Sequence, residues 1–438
     1  MAQLSDGTKI RLTSGDEVIV SEHIGGGGQG DVYKVSLNGK EYALKWYANG
    51  DIISNIEFRK NLKRNIEAGS PSPKFLWPLY LTEEMYGSYG YVMELKPNGY
   101  EDFSKFLLAK SSFESHAAQI QAALNITEGF RDLHRNGYSY QDLNDGNFFI
   151  NGRTGDVLIA DNDNVAPKNL GVGGKSRYKA PEVVRNLCAP DRYSDLFSLS
   201  LVLFMILFFD HPLEGERCVN CPCLTSENEL VLYGKEPVFV YDREIGSNRP
   251  VPGIHDNVIR FWKEFPMFIK DKFCEAFSQQ TINVNDLNAA RSKRIMDNEW
   301  RNAFISLRGC LVKCPKCGEE MFLEYDKESI CPNCGGAIER KPVLSFLKGK
   351  YRIPAYRDVE VFKCMTDDIS DDNASVVGRV SVNPQNADMW GLKNEDSKAW
   401  EILTKDGRSK MLEPGRSYPF SSINEVRFGR DMSMKIEN

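Results

Sequence analysis

At 438 residues, with 41% hydrophobic and 26% charged residues, the chain is long enough for two or three globular domains and has the composition to bury their cores. Its formal net charge of −6 argues against a dedicated nucleic-acid binder, whose phosphate contacts need clustered Lys and Arg. The most apolar run, Leu196 to Phe209, ends at Asp210 and His211. It falls short of the about 20 residues of a membrane span, so a buried core helix is expected and no membrane partner. Met1-Ala2-Gln3-Leu4-Ser5-Asp6 has neither the basic start nor the apolar core of an export signal. Eleven cysteines, an odd total that includes two Cys-x-x-Cys pairs, fit reduced thiols and metal ligation better than disulfides. A cytoplasmic location is therefore expected.

Between residues 17 and 95, alternating apolar residues and glycine-marked turns predict antiparallel strands, as in Glu17 to Ile24 and Asp31 to Val35. A helix over about 53–68 interrupts them, before the breaker Gly69-Ser70-Pro71-Ser72-Pro73. The run from Ile24 to Val32 has the spacing G-x-G-x-x-G-x-V, with Gly25, Gly27 and Gly30 at the glycine positions. Glycines let a backbone approach phosphates where side chains would clash. Taken alone, a glycine-rich hairpin tip explains the run equally well. A dinucleotide fold is disfavoured, because the glycines lie between two strand-like segments rather than ahead of a helix. Fifteen residues after Gly30 comes Tyr42-Ala43-Leu44-Lys45. A lysine flanked by apolar residues at this distance is better explained as a phosphate ligand than as a solvated edge charge.

Residues 115–308 read as mostly helical, with Ile120, Leu124, Phe130 and Leu133 near helical spacing and Asp195 to Phe209 apolar all round. Tyr140-Gln141-Asp142-Leu143-Asn144-Asp145-Gly146-Asn147 resembles the H-R-D-L-x-x-x-N catalytic loop of protein kinases, a resemblance in which Asp142 would accept or orient a hydroxyl proton and Asn147 would hold a magnesium ion. Two short strands, Phe148 to Ile150 and Val157 to Ala160, then deliver Asp161 in what resembles the D-F-G position, where its carboxylate would be a hard oxygen ligand for the same metal. Gly174 to Glu182 follows, ending in Ala180-Pro181-Glu182, and Asp195 opens the apolar helix. Asp and Asn favour turns in any protein, but these elements in this order form one constellation.

Those motifs make residues 18 to about 308 resemble the eukaryotic-like Ser/Thr protein kinase superfamily. The resemblance implies an α+β bilobal kinase fold with a β-rich lobe over about 14–95 and a helical lobe over about 96–308. It implies ATP and Mg²⁺ (or Mn²⁺) as cofactors, Lys45 on the phosphates, Asp142 as base, and Asn147 and Asp161 on the metal. The nucleotide site would comprise Ile24, Gly25, Gly27, Gly30, Val32, Ala43 and Met93, with the backbone of Glu94, Leu95 and Lys96 against the base. The ion-pair partner of Lys45 is expected to be Glu57, in the helix after the strand, with Glu67 as the alternative. Asp195 would brace the catalytic loop.

Five positions depart from the family pattern: Gln141 for Arg, Asn144 for the catalytic-loop Lys, Asn162 and Asp163 for Phe and Gly, and Lys175 for Thr. Without the Arg, activation by phosphorylation of the segment ending at Glu182 is not expected. The losses also raise an alternative function, a nucleotide-binding pseudokinase scaffold. More closely, the chain resembles bacterial, tellurite-resistance-associated-like kinases that carry His211-Pro212-Leu213-Glu214-Gly215 and Ser247-Asn248-Arg249-Pro250 before a Cys-pair ribbon. That implies a protein substrate, with a von Willebrand A-type protein and a metal-dependent Ser/Thr phosphatase as partners.

Cys314-Pro315-Lys316-Cys317 and Cys331-Pro332-Asn333-Cys334 are paired knuckles, each followed by a glycine. Four thiolates in this arrangement close a tetrahedral, structural Zn²⁺ site, so a zinc ribbon is expected over 310–338. Cys218, Cys221 and Cys223 read either as a loop with incidental thiols or as metal ligands joined by Cys188 or His211. A linker is expected over 339–355 and a small all-β domain over 356–438, from turn signals such as Asn383-Pro384 and Lys405-Asp406-Gly407. The tail loosely resembles forkhead-associated β-sandwiches, through Val376 to Arg379, Gly391 to Asn394, Trp400 and Val426 to Gly429.

Overall fold

The computed structural model describes residues 4–167 and 174–437. The chain divides into two compact units, one of residues 1–114, 121–259 and 273–297, the other of residues 115–120, 260–272 and 298–438.

The first unit opens with six antiparallel strands: β1 (Lys9–Arg11), β2 (Glu17–Gly26), β3 (Gly30–Leu37), β4 (Lys40–Tyr47), β5 (Pro78–Leu81) and β6 (Gly90–Glu94). They are ordered β1-β2-β3-β4-β6-β5. Alternation gives the sheet two apolar faces, as strands with buried residues two apart must. Ile10, Val18, Val20, Tyr33 and Val35 pack on one face, and Ala43, Tyr47, Tyr91 and Met93 on the other. The predicted helix is two helices, α1 (Gly50–Ser54) and α2 (Ile56–Ala68). They part at Asn55, whose side chain accepts the Phe58 N–H at 3.0 Å and so starts α2 afresh. α2 turns Phe58, Asn61, Leu62 and Asn65 inward, at helical spacing.

The helical half follows, with α3 (Phe103–Leu107) and α4 (His116–Arg135). A small sheet of β7 (Glu101–Asp102), β8 (Phe148–Ile150) and β9 (Val157–Ile159) carries the loops of interest. α5 (Pro181–Val184) precedes α6 (Arg192–Phe208), which is buried from Ser194 to Phe208. A capping box at Asp191 and Ser194 starts α6. Glu182 accepts two hydrogen bonds from Arg294, at 2.5 and 2.6 Å, with both side chains buried.

In the second unit, two small hairpins hold the cysteine pairs: β10–β11 (Leu311–Lys313, Glu320–Phe322) and β12–β13 (Ser329–Ile330, Ala337–Ile338). Two larger antiparallel sheets follow. One has six strands, ordered β15-β14-β23-β22-β19-β20, from β14 (Val343–Phe346), β15 (Tyr351–Pro354), β19 (Trp400–Thr404), β20 (Ser409–Leu412), β22 (Ile423–Gly429) and β23 (Met432–Glu437). The other has four, ordered β16-β17-β18-β21, from β16 (Glu360–Phe362), β17 (Val376–Asn383), β18 (Asn386–Asn394) and β21 (Ser417–Pro419). Trp400 of the first sheet reaches Gly378 of the second, where a Cβ would lie 2.7 Å from the indole.

Two expected boundaries shift. Residues 339–355 are not a linker, because β14 and β15 lie within them and β14 pairs with β23. The helix Asp297–Cys310 groups from residue 298 onward with the ribbon and the sheets, not with the helical half. Arg301 and Arg308 on that helix donate to the carbonyls of Asp371 and Asn373 at 2.7 and 2.6 Å. A Cβ at its Gly309 would collide with Ile353.

Candidate functional site

Lys45 lies in the buried half of β4 and is itself 4% exposed. Its ammonium stands 3.2 Å from Asp161 Oδ1 and 3.0 Å from Asp163 Oδ2, and it donates to Gln29 Oε1 at 2.5 Å. Burial opposes the charge, but the two carboxylates outweigh it and hold the lysine above its ordinary pKa. Gln29 comes from the glycine-rich turn between β2 and β3. A Cβ at Gly25, Gly27 or Gly28 would meet nothing within 4 Å, whereas at Gly30 it would collide with the Trp46 carbonyl. The first three glycines therefore border open space, and Gly30 is required by the close approach of β3 to β4.

The catalytic loop is held from below. Asp195 at the start of α6 accepts the backbone N–H groups of Tyr140 and Gln141 at 2.6 and 3.3 Å. His134 stands 3.3 Å from Asp195 and 2.8 Å from Asp297. The Asn147 side chain donates to the Asp142 carbonyl at 2.7 Å, and the Ala160 N–H to the Asn147 carbonyl at 2.8 Å, which ties this loop to the segment bearing Asp161. Gln141 and Asp161 both take positive φ, 70° and 53°. Such conformations cost about 1 kcal/mol or more in a non-glycine residue and cluster where function requires them.

Burial first, and the neighbouring charge of Asp161 second, push Asp142 up to about 6. The hydrogen bond from Asn144 and the charges of Lys179 and Lys45 pull the other way. Lys179 is close: a Cβ placed on Gly174 would lie 2.9 Å from Asp142 Oδ1 and 3.0 Å from Lys179 Cε.

The expected base pocket is lined by Val32, Ala43, Met93 and Leu95, which pack in one cluster with Phe149 and Leu158. Ala43 pairs with Met93 across β4 and β6. Ile24 is 44% exposed at the cleft's rim strand. Glu94 bonds Lys40 at 3.0 Å, and the Lys96 ammonium donates to the Tyr100 carbonyl at 2.8 Å, so at these two positions the side chains are occupied and the backbone remains.

One expected residue is elsewhere. Glu57 does not meet Lys45; it is an exposed residue of the first turn of α2, 2.9 Å from Lys60. Glu67 is likewise exposed, 3.9 Å from Lys63. The inward stripe of α2 runs through Phe58, Asn61, Leu62 and Asn65, and neither glutamate is in phase with it. The partner missed is Asp163, fully buried at the third position of Asp161-Asn162-Asp163. The signal was an acid where the family pattern has glycine, together with the phase of the α2 stripe.

The far end of this segment is also tied. Arg177 makes two hydrogen bonds to Glu214, at 2.9 and 2.8 Å, and His211 bonds the Arg177 carbonyl at 2.8 Å. Tyr178 is buried.

In the second unit the sulfurs of Cys314, Cys317, Cys331 and Cys334 all lie within 4.8 Å of one another, with 3.7 Å between Cys314 and Cys334 and between Cys317 and Cys331. Thiolates about 2.3 Å from a tetrahedral zinc are about 3.8 Å apart, so the set fits Zn²⁺. Gly318 and Gly335 take φ of 78° and 66° and donate to the carbonyls of Cys314 and Cys331, at 2.9 and 3.0 Å, which closes both knuckles alike. Backbone N–H groups of Cys317 and Lys316 lower the Cys314 thiol to about 6. Cys218, Cys221 and Cys223 gather no such set among the described residues. His211 is engaged with the Arg177 carbonyl and the Leu213 N–H.

Residues 18–228 match the family model of the protein kinase domain. Those residues, just under half of the chain, form a protein kinase domain. The chain is 25% identical over 224 residues to a probable LIM domain-containing serine/threonine-protein kinase of Dictyostelium discoideum, covering 49% of this chain and 34% of the relative. To protein kinase YegI of Escherichia coli (strain K12) it is 23% identical over 238 residues, covering 52% and 34%. The chain thus spans about a third of the length of each of these relatives. Among solved structures it is similar to the Mycobacterium tuberculosis PknI kinase domain, at 16% identity and TM-score 0.44 over 69% of this chain and 98% of that one. For vaccinia related kinase 3 the values are 16% and 0.40, over 53% and 76%. No helix among the described residues is long and apolar enough to cross a membrane.

Proposed function

We propose that this chain is a protein serine/threonine kinase that moves the γ-phosphate of ATP to a hydroxyl of a protein substrate in the cytoplasm. The observation that carries the reading is the convergence of Lys45, Asp142, Asn147 and Asp161 around one cleft, from three separate segments. Lys45 holds the phosphates. Asp142, raised toward neutral pH, accepts the hydroxyl proton, as a base matched to its working pH does. Asp161 and Asn147 suit Mg²⁺, since one offers a carboxylate and the other, its amide nitrogen spent on the Asp142 carbonyl, an amide oxygen. Bound there, the metal would offset charge on the phosphates. The four thiols hold a structural zinc, with no ligand position left for water. Protein partners, among them the von Willebrand A-type and phosphatase classes that the resemblance implies, would act through the second unit.

The test is transfer of labelled phosphate from ATP to a generic basic protein and to Ser, Thr and Tyr peptides. Wild type should label Ser and Thr, and Asp142→Asn should not. Nucleotide binding without transfer by wild type would establish the pseudokinase scaffold instead.

A further inference from the structure

Every carboxylate that α2 carries faces water. Glu57 is paired with Lys60 and Glu67 with Lys63, and the residues the helix turns inward are apolar or amides. The positive end of Lys45 is nevertheless 5% exposed and needs a compensating charge, because an unpaired buried ammonium is not tolerated. That charge comes from Asp161 and from Asp163, which is fully buried, stands 3.0 Å from Lys45 and accepts the Tyr47 hydroxyl at 2.7 Å. If Asp161 turns to a metal, Asp163 is the one acid left to the lysine among the described residues. α2 is fastened to the same segment by neutral bonds, since Asn61 and Asn65 both donate to the Val165 carbonyl, at 2.8 and 2.7 Å.

We propose that Asp163 is the positioning residue for Lys45, replacing a helix-borne acid, so that the phosphate-binding lysine is set by the Asp161–Val165 segment and not by a carboxylate on α2. The inference rests on the kinase reading for its kinetic consequence but not for its geometry. A helix that swings outward would break two amide bonds to Val165 and leave the Lys45 charge compensated. Control of this site therefore has to act on the segment after β9. The position that is glycine in the family pattern becomes the anchor of the nucleotide pocket, and rigid where a glycine would flex.

The experiment compares wild type, Asp163→Asn, Glu57→Gln, Lys45→Met and the double variant Lys45→Met/Asp163→Asn in the full chain. Affinity for a fluorescent ATP analogue, KM for ATP and KM for the protein substrate are read. Asp163→Asn should weaken nucleotide affinity and raise the ATP KM tenfold or more, with the substrate KM unchanged. Glu57→Gln should match wild type. In the Lys45→Met background, Asp163→Asn should cost nothing further, because coupled residues are not additive. Unchanged nucleotide affinity in Asp163→Asn, an equal loss in Glu57→Gln, or a full second loss in the double variant would overturn the proposal. Nucleotide affinity is read without turnover, so wild type that binds but does not transfer phosphate would sink the kinase reading and leave this one standing. Should Asp163→Asn unfold, thermal melting decides: the double variant should melt above Lys45→Met, since that single variant strands the buried Asp163. Melting points that fall additively would show that Asp163 serves only the fold.

Discussion

The cleft and the four-thiol site both gather ligand-type side chains, but they are assembled in opposite ways. The thiols come from two knuckles inside Cys314 to Cys334, each a turn closed by its own backbone bonds, with hairpins of two or three residues per strand behind them. The cleft draws on β4, the loop after α4 and the segment after β9: β4 and Ala160 share one core cluster, and the loop hangs from Asp195 of α6. Its charges are already compensated by one another. Under the proposed function, a metal ion would be a structural member in one region and a visitor in the other.

Removing metal should separate the two. A chelator, or Cys314→Ser with Cys331→Ser, should release one zinc per chain and unfold the hairpins, with a loss on the scale of the about 10–16 kcal/mol that such sites bind in small peptides. Nucleotide binding by the first unit should persist. Metal analysis of freshly purified protein, followed by amide exchange over 311–338, checks this; freshly purified protein without zinc would remove one side of the comparison. In the cleft the effect should be chemical. Asp161→Ala should abolish phosphotransfer, and Asp142→Asn should slow it about 10²- to 10⁴-fold, with circular dichroism and melting close to wild type.

The two sites were also unequally legible. Cysteine spacing is local, so the sequence reading names all four of the thiols that the fold gathers. Lys45, Asp142, Asn147 and Asp161 are likewise recognisable, because each lies in a short run whose spacing reflects a common target. The lysine's partner was not, because it depends on which side of α2 faces in, and an exposed Glu57 in a first turn reads the same on paper as a buried one. Its first-turn position suits the helix dipole and asks for no other explanation. β14 was hidden for a similar reason. Val343 to Phe346 follows a basic run and a proline, and one of its two partners, β23, is distant in sequence.

A finer test lies in pH. Asp142 must be unprotonated to accept a proton, so with a pKa raised to about 6 activity should hold above that pH and fall as pH drops through it. Lys179 favours the charged form, so Lys179→Met should move this limb to higher pH, read from the pH profile of kcat. An unmoved limb would show that the two do not meet during turnover. The smallest effect concerns Ser176. Arg177 and Glu214 already anchor this stretch, and no arginine stands beside Asp142. Phosphatase-treated and phosphorylated samples should therefore differ less than tenfold in turnover, about 1.4 kcal/mol. A larger rise, lost in Ser176→Ala, would make the segment a phosphorylation switch after all.

The place of β14 in its sheet bears on how the chain folds. Val343 pairs with Glu437 and Phe346 with Met434, so an interior strand of the six, already paired locally with β15, finds its second neighbour only after everything between them has been made and β22 and β23 have formed their hairpin. Contacts that close long loops are slow to form, whereas the hairpins of β2 to β4 and the two thiol knuckles need only adjacent residues. Assembly should then run from both local ends of the molecule toward this one seam. Until the seam closes, the hairpin of β14 and β15 leaves one edge of Val343-Leu344-Ser345-Phe346 unpaired and largely apolar, the kind of surface through which nascent chains aggregate.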